Sequence, residues 1–171
     1  MKVVPSEITT ISGQVNLAVL IAHIVEKESP IHKEELLRRA IQLSGYGRMG
    51  NNLRAEMEGL LSSAMHSREV ISKGDFIWSA AMKSPPLRRR DDCPEMKKIE
   101  LICIEEISLA IWKVVVESVG IGKLEIVRCV SDIFGFARLT ENIDSSISSV
   151  VEQMMREGML KMEGRTVTVC S

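Results

Sequence analysis

The sequence predicts a mainly α chain with small β-hairpins, an α+β fold built from two copies of one unit. Three observations predict it. Residues 20–80 align with 110–170 at a constant offset of 90 without a gap, and eleven of the 61 pairs are identical. The shared residues include Ile31/Ile121, Lys33/Lys123, Glu35/Glu125, Arg38/Arg128, Gly45/Gly135, Arg48/Arg138, Asn52/Asn142 and Gly74/Gly164. In each copy three stretches of helical apolar spacing precede two short β-prone runs.

Leu17, Leu20, Ile21, Ile24 and Val25 fall at i, i+3, i+4, i+7 and i+8, one stripe of a first helix. Ser29-Pro30 ends it, because proline cannot continue the hydrogen-bond ladder. Ile31 to Leu36 reads as a second helix start, with His32 at the cap, Glu35 reaching back to it and Ile31 stapled onto Leu36. In the second copy Gly122 takes the cap position. Leu36, Leu37, Ala40, Ile41 and Leu43 carry the second helix to Gly45, the residue expected in a left-handed C-terminal turn. A turn over residues 45–50 leads to a third helix with stripe Leu53, Met57, Leu60, Leu61 and Ala64, matched by Ile143, Ile147, Val150, Val151 and Met154. Val70 to Trp78, around a Lys73-Gly74-Asp75 turn, reads as a hairpin, with 159–169 its counterpart. A short strand is expected before each first helix, at Ile8 to Ile11 and Ile99 to Ile104. Trp112 is expected in the core. Helix, helix, turn, helix and hairpin is the order of a winged helix-turn-helix, so the prediction is a tandem of winged-helix repeats.

Between the copies, Ala81 to Lys98 holds Pro85-Pro86, Arg88-Arg89-Arg90, Asp91-Asp92 and Pro94, a density of proline and charge that marks an exposed connector, or one fixed against a domain by pairing within the Arg-Arg-Arg-Asp-Asp run. The expected domains are 1–80 and 99–171, joined by linker 81–98. Formal net charge is −1, unevenly spread: up to Arg90 there are 13 Lys+Arg against 9 Asp+Glu, and from 91 onward 9 against 14. The first copy is the better candidate to face a polyanion.

No apolar run reaches the roughly 20 residues needed to span a bilayer, and the N-terminus lacks signal-peptide character. A cytoplasmic protein without membrane contact is expected. Cys93, Cys103, Cys129 and Cys170 form no CxxC pair and have no histidine at ligand spacing, so no metal and no cofactor is expected. His23, His32 and His66 are not gathered by any local pattern, and the chain is expected not to be an enzyme.

The run Val25-Glu26-Lys27-Glu28-Ser29-Pro30-Ile31-His32-Lys33-Glu34-Glu35, with Gly45-Tyr46-Gly47-Arg48-Met49-Gly50 and Gly74-Asp75-Phe76-Ile77-Trp78, resembles an uncharacterised C-terminal tandem-repeat domain of large bacterial helicase-related proteins. Those proteins join superfamily 1 helicase motifs to a very-short-patch-repair-like endonuclease segment. The resemblance runs on through Leu87 to Arg90, Ile99 to Ile102, Glu105-Glu106-Ile107 and Gly135 to Arg138. The chain departs from the family in its Arg-Arg-Arg-Asp-Asp linker and in a second hairpin without aromatics. The resemblance implies a helicase-associated, DNA-related accessory module, with helicase or nuclease domains as partners in the same or an associated chain. No phosphate loop or clustered carboxylates of a motor or nuclease occur in this sequence.

In a winged helix the third helix enters the major groove and the hairpin meets the backbone. The candidate nucleic-acid-binding residues are accordingly Arg48, Asn51, Asn52 and Arg54 at the start of helix three, Lys73 at the hairpin tip, Arg68 before it, and Arg88, Arg89 and Arg90. Asparagine and arginine can read base edges, whereas Lys73 can meet only a phosphate. Arg48 and Asn52 recur as Arg138 and Asn142, which favours a structural role for those two. Asn51 and Arg54 become Glu141 and Asp144, so the fold does not require them. The alternative reading is a protein-interaction or dimerisation module without nucleic-acid contact; methionine-rich composition and the Ser145, Ser146, Ser148 and Ser149 cluster suit it as well.

Overall fold

The computed structural model describes residues 16–45, 50–90 and 97–170. The chain divides into two compact units, 1–83 and 84–171, each around its own apolar cluster. In unit 1, α1 (Leu17–Glu28) is capped by Asn16, whose Oδ1 accepts from the N–H groups of Ala18 and Val19 at 3.1 and 3.3 Å. Two donors that lack an intrahelical partner are thereby satisfied. The stripe Leu17, Leu20, Ile21, Ile24 and Val25 is buried, as its spacing predicts.

Next come β1 (Ile31–His32) and α2 (Lys33–Ser44). His32 is the cap of α2, its Nδ1 accepting from the Glu34 N–H at 3.3 Å. Glu35 does not reach back to it. Its carboxylate accepts from Arg38 Nη2 at 2.6 Å, Arg38 Nε at 2.8 Å and Arg39 Nε at 3.1 Å, because charge-assisted bonds to guanidinium outweigh one to a neutral amide. α2 ends at Gly45, at φ 81°, the left-handed conformation that glycine adopts without a Cβ penalty.

α3 (Asn51–His66) buries Met57 and Leu61 and leads to the hairpin β2 (Val70–Lys73) and β3 (Phe76–Ser79). β1 adds to the hairpin as a third antiparallel strand, in the order β1-β3-β2, with Ile31 opposite Ile77 and His32 opposite Phe76. A strand of two residues shows no alternation, so the sequence pattern assigns it to the helix start instead. His32 and Phe76 then meet edge to face, ring centres 5.3 Å apart. Trp78 is buried, and the Lys73 ammonium lies 3.9 Å from the centre of its ring.

Unit 2 repeats the plan with α4 (Ile104–Val116), α5 (Lys123–Ile133), α6 (Glu141–Arg156), β4 (Leu160–Glu163) and β5 (Thr166–Val169). Gly122 caps α5 without a side chain, as expected. Ile143, Ile147, Val150, Val151 and Met154 are buried. The β1–β3 contact of unit 1 survives as a single bridge between Ile121 and Val167, 90 positions from Ile31 and Ile77.

Two further sequence expectations change. The strand expected at Ile99 to Ile104 is a 3₁₀ turn, Ile99–Leu101, running into α4. Buried Ile99 and Ile102 lie three apart, which fits a three-residue turn and not alternation. Trp112 is 39% exposed on α4, since the core of that helix is filled by Ile107, Ala110, Ile111 and Val115. The connector follows the second of its two readings and is fixed against a domain: Leu87 packs against the second core and Arg90 is buried. The strand expected at Ile8 to Ile11, the turn residues 46–49 and the run 91–96 lie outside the described residues.

Candidate nucleic-acid interface

The third helix of unit 1 brings Asn51, Asn52 and Arg54 together at its first turn. Gly50 sits at the N-cap and offers no side-chain hydrogen bond, and the first turn holds no acidic residue. Asn51 and Asn52 are exposed. Backbone N–H groups at such an end, with the positive pole of the helix dipole, favour an anion. Arg48 lies outside the described residues.

Arg54 is not an isolated positive charge. Its Nη2 donates to Glu34 Oε1, and its Nε lies 3.4 Å from Glu58 Oε1, which Lys33 also approaches at 3.3 Å. The hydrogen bond from Arg54 holds the Glu34 carboxyl below its ordinary range, against a smaller opposing effect of burial. Two cations and two carboxylates thus form a nearly neutral patch where α2 and α3 begin.

On the hairpin side, Lys73 is exposed and steadied over Trp78. A cation–π contact of this kind holds the ammonium over the ring face. Arg68 is exposed in the turn after α3 at φ 61°. Its counterpart is Gly158, at φ 74°. An L-residue in that region costs about 1–2 kcal/mol, so repeat 1 carries an arginine where the backbone prefers glycine.

The arginines of the connector belong to unit 2. Glu106, fully buried, accepts from the Arg88 N–H at 3.0 Å, Arg88 Nη2 at 3.1 Å, Arg90 Nη1 at 3.1 Å and Arg90 Nη2 at 2.9 Å. Arg90 also stands over Phe134, 5.5 Å from the ring centre, and its N–H donates to Phe134 O. Arg89 is exposed and donates to Asp132 O at 3.1 Å. Arg88 and Arg90 therefore neutralise a buried carboxylate within unit 2.

That placement redraws the charge map. Counting by unit, residues 1–83 hold 10 Lys+Arg and 9 Asp+Glu, a net of +1, and residues 84–171 hold 12 and 14, a net of −2. Most of the basic excess read from the first half of the sequence is the Arg88–Arg90 run.

The equivalent end of α6 is built differently. Thr140 Oγ1 accepts from the Ile143 N–H at 3.4 Å, Glu141 and Asp144 occupy the first turn, and Asn142 Nδ2 donates to Glu100 Oε1 at 2.5 Å. Asn142 thus ties α6 to the preceding 3₁₀ turn. That is a structural use of the asparagine shared with position 52. Glu58, four positions on along α3, counts against a basic Arg54 already in the sequence, whereas sequence reasoning missed Glu34 as partner of Arg54, and Glu106 as partner of Arg88 and Arg90, because those pairs join residues from different elements.

Among the described residues no three His, Cys, Asp or Glu side chains gather to hold a metal ion, and no helix is long and apolar enough to cross a membrane. Burial pushes the Cys103 thiol up to about 12 and raises Cys129 as well.

Two units of helix, helix, helix and hairpin define a tandem of winged-helix-like modules. A family model described as "Protein of unknown function (DUF3320)" matches residues 12–55, reaching from before α1 into the first turns of α3. The match takes in α1, β1, α2 and the start of the candidate interface, about a quarter of the 171 residues. No curated protein matches the chain.

Proposed function

We propose that this chain is an accessory module of a nucleic-acid-processing assembly, and that repeat 1 makes its nucleic-acid contact through Asn51, Asn52 and Arg54 on α3 with Lys73 and Arg68 beside the hairpin. The observation that carries the reading is the contrast between the two third helices. The first turn of α3 has no acidic residue of its own and no side-chain cap from Gly50, whereas α6 is capped by Thr140 and has Glu141 and Asp144 in its first turn. An anion is favoured at the first and repelled at the second. The helicase context comes from the resemblance in sequence, which also makes a motor or nuclease in the same or an associated chain the natural partner.

A net of +1 on unit 1 sets the scale of binding. Few phosphates can be neutralised, so affinity lies near the 10⁻⁴–10⁻⁶ M of non-specific contacts, roughly, and falls with salt with a slope of about 0.9 per phosphate contacted. Fluorescence anisotropy of labelled duplex, single-stranded and forked DNA at two salt concentrations tests this. Binding that weakens with salt and is lost when Lys73→Glu and Arg68→Glu are combined supports the reading. Absence of binding at low salt and tens of micromolar protein, roughly the weak limit of such contacts, would replace it with a module that docks protein only.

A further inference from the structure

Helix α4 leaves an apolar ridge in water. Ile104, Trp112 and Val116 are 52%, 39% and 51% exposed. With Ser108 they stand at successive i+4 positions, one ridge of the helix surface. The fold does not demand it. At the positions of repeat 1 equivalent to Ser108, Trp112 and Val116 stand Ala18, Ala22 and Glu26, and α1 buries its core stripe all the same. The two surfaces differ in shape as well: beside α1 an open groove of about 650 Å³ runs between Ala18, Ala22, Ser63 and Ala64, where repeat 2 has Ser108, Trp112, Gln153 and Met154.

We infer that the α4 ridge is a contact between two copies of this chain, with α4 packed antiparallel on α4 of the second copy across a two-fold axis. The ridge itself selects the occupant. An isologous contact requires a patch that matches its own reverse. Turned end for end about the point midway between Ser108 and Trp112, the ridge sets Ile104 against Val116 of the second copy and Trp112 against its Ser108. Branched aliphatic side chains then meet each other, and the bulkiest side chain lies over the smallest. The same axis brings Lys113 to within about 3 Å, measured along the helix, of Glu105 of the second copy, which adds two symmetric opposite-charge pairs.

A single helix pair falls below the roughly 1,200 Å² of standard complexes, so the dimer is expected to be weak and reversible. Sedimentation equilibrium of the full chain, from about 5 to 500 µM to bracket a micromolar constant, tests it. Trp112→Ala and Val116→Glu carry the residues of repeat 1, a fold-compatible choice at these positions, and each should weaken association at least about tenfold. Lys113→Glu should weaken it too, and adding Glu105→Lys should restore it, because exchange of the charges recreates the pair. A monomer across the whole range overturns the inference. So does a dimer indifferent to Val116→Glu, or one that charge exchange fails to rescue.

Discussion

Each repeat buries one carboxylate between two arginines, and the two carboxylates are not at equivalent positions. In repeat 1 it is Glu35, 5% exposed, held by Arg38 and Arg39 on its own helix. In repeat 2 the matching pair, Glu125 and Arg128, is in solvent, 57% and 60% exposed and 3.6 Å apart. The buried carboxylate there is Glu106 on the first helix, clasped by Arg88 and Arg90 from the segment before it. Position 106 corresponds to Asn16, the cap of α1. Identical residues at equivalent places therefore do not share an environment. Arg39 decides the first case: its guanidinium closes over Glu35, while repeat 2 has Cys129 at that position. The connector decides the second.

The largest effect follows from this difference. Replacing Glu106 by Gln leaves the buried Arg90 guanidinium uncompensated and should destabilise unit 2 by about 3–5 kcal/mol. Replacing Glu125 by Gln at the repeat-equivalent exposed pair should change stability by no more than about 0.5 kcal/mol. All four cysteines lie in residues 84–171, so the rate of thiol labelling in urea reads unit 2 alone. Cys103, with its thiol pushed up to about 12 by burial, should resist alkylation near pH 8 until unit 2 opens. A Glu106→Gln protein that labels no faster than the parent would remove the clasp from the account.

Glu35→Gln should come next, at about 1–3 kcal/mol, since Arg39 is 13% exposed and Arg38 35% and water can compensate part of the loss. Urea unfolding followed at 222 nm should show one transition moving and the other staying in place. Movement of both would mean that the units do not unfold separately.

Arg68→Gly makes the repeats alike at the left-handed turn, and the expected sign is opposite. Relief of the positive φ should stabilise unit 1 by up to about 1 kcal/mol, while DNA affinity falls through loss of one phosphate contact. Stability and affinity moving together would separate Arg68 from the interface.

The smallest effect is electrostatic. Glu34 has its pKa lowered in the folded chain, chiefly by the Arg54 hydrogen bond, so its contribution is present above the ordinary carboxyl value of 4.5 and fades as pH falls through the lower folded value. The group is exposed and screened, and the effect belongs in a titration, not a melting curve. In an NMR pH titration the Glu34 carboxyl should midpoint below 4.5 in the parent and return toward that value in Arg54→Ala.

Much of the fold was legible because it rests on spacing. The α1 stripe, the Gly45 turn, the paired hairpins and the α6 core all follow from local period and punctuation, and the offset of 90 lets each copy check the other. What stayed hidden depends on partners distant in sequence. β1 exists because β3 pairs with it, and Trp112 stays out of the core because smaller residues of α4 already fill it. Arg88 and Arg90 read as loose basic charge until Glu106 is seen beneath them. At the candidate interface Asn51, Arg54, Lys73 and Arg68 were legible as residues that differ between copies. Glu58, on the same helix, was legible as well, but Glu34 on α2, which also tempers Arg54, was not.

The measurement closest to the central claim writes the end of α6 onto α3. Asn51→Glu with Arg54→Asp gives repeat 1 the residues found at 141 and 144, both tolerated by the fold at that place. Anisotropy with labelled duplex DNA at low salt should then show affinity reduced at least about tenfold and the salt slope smaller by about 1, with helical content unchanged. Affinity and salt slope equal to those of the parent would contradict the claim that the two third helices have diverged into one that meets nucleic acid and one that does not.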